Sequence, residues 1–150
     1  MPQVETDYIK TSKIKYVFRD LPIESIHPYA FKAAEAANCA GDQGKFWEMH
    51  DQLYAHQTAL KPTDLPQYAQ ALGLDITKFQ QCLDTGKHAA SIRKDIAEGE
   101  NAGVSGTPTF MLGVIDPKSS KVKVLKVLSG AQPYAVFKEA LESALSSQKP

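Results

Sequence analysis

Apolar side chains recur at spacings of three and four residues along most of the chain, the pattern of helices with one buried face. Glycines and capping residues interrupt this pattern. Gly41 and Gly44 follow the first long stretch, and Asp75 and Gly86 bracket a later one. The pattern predicts helices over residues 2–10, 29–40, 45–57, 65–72, 75–86, 88–103 and 133–146.

Three shorter segments carry the alternating, β-branched and aromatic pattern that is typical of strands. They are residues 14–19, 108–115 and 121–128, and the last two flank a polar turn at 116–120 in the manner of a β-hairpin. The block of helices between 29 and 103 lies between the first strand and the hairpin. This order predicts a mixed α/β or α+β protein with a helical insertion after its first strand.

The composition is that of a folded globular domain. The chain has 150 residues, 43% of them hydrophobic, and its 17 basic and 17 acidic residues give no net charge. Nucleic acids and anionic membranes attract basic surfaces, so neither is expected as a partner. The longest strongly apolar run, residues 110–115, is too short to cross a bilayer, and no signal-peptide pattern follows Met1. We expect no membrane insertion.

Few side chains offer chemistry. Cys39 and Cys82 are far apart in the sequence, so neither forms a C-x-x-C motif. Each lies in a predicted helix, and the residues alone leave buried thiols, a structural disulfide and a catalytic pair open. The histidines show no spacing typical of a metal site, and there is neither a Ser/His/Asp arrangement nor a phosphate-binding loop. We expect no metal and no cofactor.

The segment with the most information is residues 104–110, which read VSGTPTF. It leads from the glycine that ends the longest helix into an apolar strand. Pro108 lies at the first position of that strand, where its missing N–H does not interrupt the hydrogen-bond ladder of a sheet. A trans bond is the ordinary state of such a proline. A cis bond would let neighbouring backbone groups pair with an incoming peptide.

This segment resembles the cis-proline loop of the thioredoxin superfamily. Further segments resemble the DsbA-like thiol–disulfide oxidoreductases, and the resemblance runs nearly from end to end of the chain. The resemblance implies a thioredoxin-like α/β fold: a single domain of residues 1–150, with a helical insertion at about 26–103 between the first strand and the C-terminal hairpin. The segments read YVFRDLP (16–22), HP (27–28), AAEAANCA (33–40), GKFWEMHD (44–51) and FQQCLDTG (79–86).

The resemblance also implies a site and a compartment. It implies a cis Thr107–Pro108 bond and a loop that binds a peptide or an unfolded protein. It places the protein in a periplasmic or other extracytoplasmic compartment, where Cys39 and Cys82 form a structural disulfide between two helices of the insertion. The expected substrate-binding residues are Val104, Ser105, Gly106, Thr107 and Pro108.

One departure from the family decides the expected activity. The family's C-x-x-C motif follows a first strand, at a helix N-terminus that lowers the pKa of the attacking cysteine. These 150 residues contain neither that strand nor that motif, so no catalytic residue is assigned. We expect an N-terminally truncated family member that is inactive alone. The alternative is a complete, non-catalytic peptide-binding or interaction module.

The same departure leaves a gap in the expected sheet. In a thioredoxin-like sheet, the first strand lies between the strands that match residues 14–19 and 108–115. Without it, both strands would expose backbone groups and apolar side chains such as Phe18 and Phe110. We therefore expect self-association through this gap.

Overall fold

The computed structural model describes residues 2–116, 119 and 121–147. It confirms a helix in each segment where the three-to-four-residue pattern predicted one. The first of these begins as a short α-helix and continues as a π-helical segment, Glu5–Ile9. The α-helices are α1 Pro2–Val4, α2 Ala30–Gly41, α3 Phe46–Ala55, α4 Leu65–Ala71, α5 Ile76–Asp84, α6 Ala89–Asn101 and α7 Tyr134–Ser146.

The predicted hairpin is confirmed as two antiparallel strands, β1 Thr109–Ile115 and β2 Val122–Ser129. The register pairs Thr109 with Ser129 and Ile115 with Val122, and it shifts between Leu112 and Gly113. Most of the turn predicted at 116–120 lies outside the described residues.

The strand predicted at residues 14–19 is wrong. This segment has no strand assignment, and the sheet of the described residues consists of β1 and β2. Its side chains still alternate between partly buried and exposed, as those of an extended chain do, and Val17 is 61% exposed. Alternation sets only an extended backbone, whereas a strand also needs a neighbouring strand to complete its hydrogen-bond ladder.

Contacts group the chain into two compact units. The first comprises the described residues of Met1–Phe18 and Val104–Pro150. Its core joins α1, the π-helical segment, the hairpin and α7. Phe110 and Phe137 meet edge to face with ring centroids 4.8 Å apart, and buried Tyr8 donates a hydrogen bond to Glu142 at 2.6 Å. The buried residues of this core are Val4, Tyr8, Leu128, Phe137, Ala140 and Leu141.

The hairpin of the first unit has one open apolar face. Phe110 and Leu128 face one another on the core side, whereas the next pair, Met111 and Val127, is 40% and 50% exposed. Ile115 and Val122 continue the same open face at 58% and 59%. A face of this kind is a candidate interaction surface.

The second unit is the helical block Arg19–Gly103. Small residues along α2, among them Ala36 and Ala40, are completely buried and let the neighbouring helices approach closely. Met49 of α3, Leu65 of α4 and Phe79 of α5 fill the core beside them. Within the described residues, no helix combines the length and the apolar character that crossing a membrane requires.

Candidate functional site: the proline loop and the disulfide

The loop formed by residues 104–108 precedes β1 in the first unit. Ser105, Thr107 and Pro108 are exposed, while Val104 and Gly106 are partly buried. The peptide bond between Thr107 and Pro108 is cis. The five residues expected to bind substrate therefore form one continuous, largely exposed segment.

Two hydrogen bonds fix this loop to the hairpin. The carbonyl oxygen of Pro108 accepts a hydrogen bond from the Gly130 amide at 2.8 Å, just beyond the end of β2. The hydroxyl of Thr109 donates to the Gly106 carbonyl at 2.7 Å. The exposed residues of the loop are thus held in place on their C-terminal side by one backbone hydrogen bond and one side-chain hydrogen bond.

The side chains of the loop are weakly reactive. Its side chains are two hydroxyls, one valine and one proline, with no thiol, imidazole or carboxylate. Hydroxyls without an activating base are poor nucleophiles. A fixed, exposed backbone beside a strand can instead pair with an extended peptide, which is how strand-addition sites gain affinity.

The structural disulfide expected from the resemblance is confirmed. Cys39 of α2 and Cys82 of α5 are bonded, with their Cα atoms 5.9 Å apart. Cys39 is 1% exposed and Cys82 8% exposed, both in the core of the helical unit. Because these are the chain's two cysteines, the disulfide leaves no free thiol in these 150 residues.

A polar cluster that the sequence did not reveal lies beside the disulfide. Asp42, at the end of α2, accepts hydrogen bonds from Lys87 at 2.8 Å and from the Nε2 atom of His88 at 2.9 Å. The Sγ atom of Cys82 lies 3.7 Å from the same Asp42 oxygen. Burial opposes the charge of Asp42, but the hydrogen bonds from Lys87 and His88 outweigh it and lower the pKa of this carboxyl.

A second polar group surrounds Asp20 in the helical unit. Arg19 pairs with Asp95 and Glu98 of α6, and the Asp20 amide donates to Asp95 at 3.0 Å. Burial raises the pKa of Asp20, although Asn38 donates a hydrogen bond to its carboxylate at 2.9 Å. These contacts join the start of the unit to α2 and α6, and the sequence offered no spacing that would have predicted them.

Comparison with known proteins places the chain in a family. It matches the profile of a family described as thioredoxin over residues 1–127. That span is most of the chain, so the chain belongs to this thioredoxin family. The helices and the antiparallel hairpin are consistent with the expected α/β thioredoxin-like fold.

The curated relatives of the chain are named as antiporters and not as thioredoxins. A Na(+)/H(+) antiporter NhaA 1 of Salinispora arenicola is 50% identical over 101 residues, 67% of this chain and 16% of the antiporter. A Na(+)/H(+) antiporter NhaA 3 of Salinispora tropica is 45% identical over 111 residues, 74% of this chain and 17% of the antiporter. The chain thus spans about a sixth of the length of the curated relatives that it matches.

Proposed function

We propose that this chain is a DsbA-like thioredoxin domain that binds extended peptides or unfolded protein segments at residues 104–108 and carries out no thiol exchange by itself. One observation carries the proposal: a thioredoxin-family chain presents a fixed, exposed loop at residues 104–108 while both of its cysteines are bonded to each other. Peptide recognition then rests on backbone pairing beside β1.

The DsbA-like part of the proposal rests on the sequence segments named above. Thiol–disulfide exchange requires an accessible thiolate and a resolving partner, and the buried Cys39–Cys82 pair supplies neither. The codons that precede Met1 in frame test the alternatives directly. A Cys-x-x-Cys roughly a dozen codons upstream would make this a segment of an active oxidoreductase. A stop codon there would favour the non-catalytic binding module.

The disulfide supports our proposal that the protein resides in an oxidising compartment. Buried structural disulfides persist in secreted and periplasmic proteins, whereas cytosolic reductants keep most thiols reduced. Alkylation of cells before lysis, followed by mass spectrometry of the two cysteine peptides, tests this part. Recovery of the bonded peptide pair supports it, and recovery of two alkylated thiols contradicts it.

Peptide binding is tested by calorimetry with an extended, cysteine-free peptide. The variant Thr107→Arg places a long charged side chain on the exposed loop and should abolish binding. Thr58→Arg makes the same change at another exposed position, in the helical unit, and should leave binding intact. Equal affinity of the wild-type chain and the Thr107→Arg variant would contradict the proposed site.

A second candidate function follows from the curated relatives. Proteins named Na(+)/H(+) antiporters contain a segment about half identical to this chain, so the domain would act within or beside a membrane transporter of that kind. An immunoblot of fractionated source cells with an antibody against the domain distinguishes the two candidates. A band several times longer than 150 residues in the membrane fraction favours this candidate; a band of the chain's own size favours the first.

We propose self-association as well, but at a different surface from the expected sheet gap, because residues 14–19 form no strand and Phe110 packs against Phe137 in the core. The open hairpin face formed by Met111, Ile115, Val122 and Val127 supports it, because exposed apolar surfaces associate. Light scattering of the wild-type chain and of Val127→Lys tests it. Dimers of the wild type that dissociate in the variant would support association, and a monomeric wild type would contradict it.

A further inference from the structure

The disulfide and a histidine of the helical unit form a compact set of metal-ligand atoms. One ligand atom from each of Cys39, Cys82 and His88 lies within 4.8 Å of the other two. Cys39 lies in α2 and Cys82 in α5, and His88 directly precedes α6. The packing of α2 against α5 brings these residues together, so their spacing in the sequence does not predict the set.

A carboxylate holds the histidine of this set in place. The Nε2 atom of His88 lies 2.9 Å from Asp42 Oδ2 and donates to it. Metal-ligating histidines characteristically pair one ring nitrogen with a carboxylate, so a metal bound here while Nε2 stays paired with Asp42 would take the Nδ1 atom of His88. Lys87, 2.8 Å from the same oxygen, balances the charge of Asp42.

The site also has a route of entry. Cys39 is buried, but the side chain of His88 is 20% exposed and that of Asp42 is 33% exposed. Asp42 and His88 are therefore open to solvent, and the Sγ atom of Cys82 lies 3.7 Å from Asp42.

We propose that reduction converts the Cys39–Cys82 disulfide into a zinc site, with Cys39, Cys82 and His88 as ligands and Asp42 as a positioning residue. Two thiolates and one imidazole are donors that zinc prefers, and three protein ligands leave the fourth tetrahedral position to water. The helical unit would then be cross-linked covalently when oxidised and through the ion when reduced.

The chemistry balances with a dithiol as the reductant. The dithiol gives two electrons and two protons to the Cys39–Cys82 bond, which breaks into two thiols, and the reductant becomes a disulfide. Zn²⁺ then displaces one proton from each thiol and forms two zinc–sulfur bonds. In the reverse direction, an oxidising disulfide accepts the two electrons, the sulfur–sulfur bond forms again, and the ion is released.

Cobalt provides the direct spectroscopic test. The chain is reduced with a phosphine, freed of the reductant, and titrated with Co²⁺ and then with Zn²⁺. We expect one equivalent of Co²⁺ to give thiolate-to-metal charge-transfer absorption and tetrahedral d–d bands, and Zn²⁺ to remove them. The oxidised chain should give neither signal.

Matched histidine variants locate the site. His88→Ala should weaken binding by at least tenfold, while His27→Ala, at an exposed loop histidine, should bind as the wild type does. Asp42→Ala should weaken binding about tenfold and keep the charge-transfer bands, as expected when the partner of a ligand is removed. Equal binding by His88→Ala, or equal binding by the oxidised chain, would overturn the proposal.

Loss of the disulfide could unfold the helical unit, so a second measurement follows the fold itself. Helical circular dichroism of the reduced chain is recorded on heating, with and without one equivalent of Zn²⁺. An ion that binds only the folded state raises the midpoint. We expect a rise for the reduced wild type and His27→Ala, and none for His88→Ala. A reduced chain that gains neither helix nor a higher midpoint from zinc would overturn the proposal.

Discussion

The ammonium of Lys32 lies 2.7 Å from the carboxylate of Glu35, whose side chain is only 4% exposed. The same ammonium donates a hydrogen bond to the Leu83 carbonyl at 2.9 Å, which links α2 to the end of α5. A buried carboxylate needs a partner because water no longer solvates it. The two helices that carry the disulfide are therefore also joined by a hydrogen bond from the lysine of this charge pair.

Replacing Lys32 should destabilise the protein more than replacing a comparable exposed lysine. Lys32→Met leaves Glu35 buried without its cation, and we expect a loss of about 1–3 kcal/mol in the free energy of unfolding. Lys45→Met is the control, because Lys45 pairs with Glu48 at the same three-residue spacing but on an exposed surface. Urea unfolding of both variants checks this. Equal losses would show that burial of Glu35 does not matter.

Removing the disulfide should lower the stability of the oxidised chain. The bond closes a loop with a sequence separation of 43 residues. In the chain-entropy model a loop of that size stabilises by about 4 kcal/mol. We expect the Cys39→Ala/Cys82→Ala double variant to unfold at correspondingly lower urea. Wild type reduced in the presence of a chelator is its reference; a double variant as stable as the oxidised wild type would contradict the structural role.

Gly113 should not tolerate a larger residue. A Cβ atom there would lie 2.6 Å from the Lys123 carbonyl oxygen and 2.6 Å from a methyl of Val122. We expect Gly113→Ala to cost about 1–3 kcal/mol, as overpacking does. Gly106→Ala is the control, since its Cβ would meet nothing within 4 Å. Thermal unfolding of the two variants decides; similar midpoints would mean that the hairpin can shift to admit the methyl group.

The hydrogen bonds of Asp42 predict a specific pH dependence. Its pKa is lowered in the folded state, so the unfolded state binds the proton at higher pH. The stabilisation from Asp42 is therefore full above its unfolded pKa, near 3.8, and is lost as the pH falls through the folded pKa. We expect the difference in unfolding free energy between the wild type and Asp42→Asn to shrink as the pH falls below about 4. A difference that does not decrease between pH 4 and pH 2 would contradict this.

The local elements could be predicted because their causes are local. Asp75 illustrates this: its side chain accepts a hydrogen bond from the Lys78 amide and begins α5, as the capping pattern indicated. The hairpin likewise follows from two alternating segments and a polar turn. The strand prediction for residues 14–19 was wrong for the opposite reason. Whether this segment forms a strand depends on a neighbouring strand from elsewhere in the chain.

The site could be predicted only in part. The loop at residues 104–108 was visible through its resemblance to a known loop, and Cys39–Cys82 through a resemblance to paired cysteines. The cluster of Asp42, Lys87 and His88 gave no signal, because only the packing of α2 against α5 and the turn after it brings these residues together. Contacts of this kind depend on tertiary structure and have no characteristic spacing in the sequence.

We propose above that the loop at residues 104–108 binds extended peptides without redox chemistry. Its most direct test is an amide NMR titration of the oxidised chain with a cysteine-free, extended peptide. We expect saturable shift changes that are largest at Val104, Ser105, Gly106 and Thr107 and continue into the start of β1. An absence of shift changes at millimolar peptide, or changes confined to the helical unit, would contradict it.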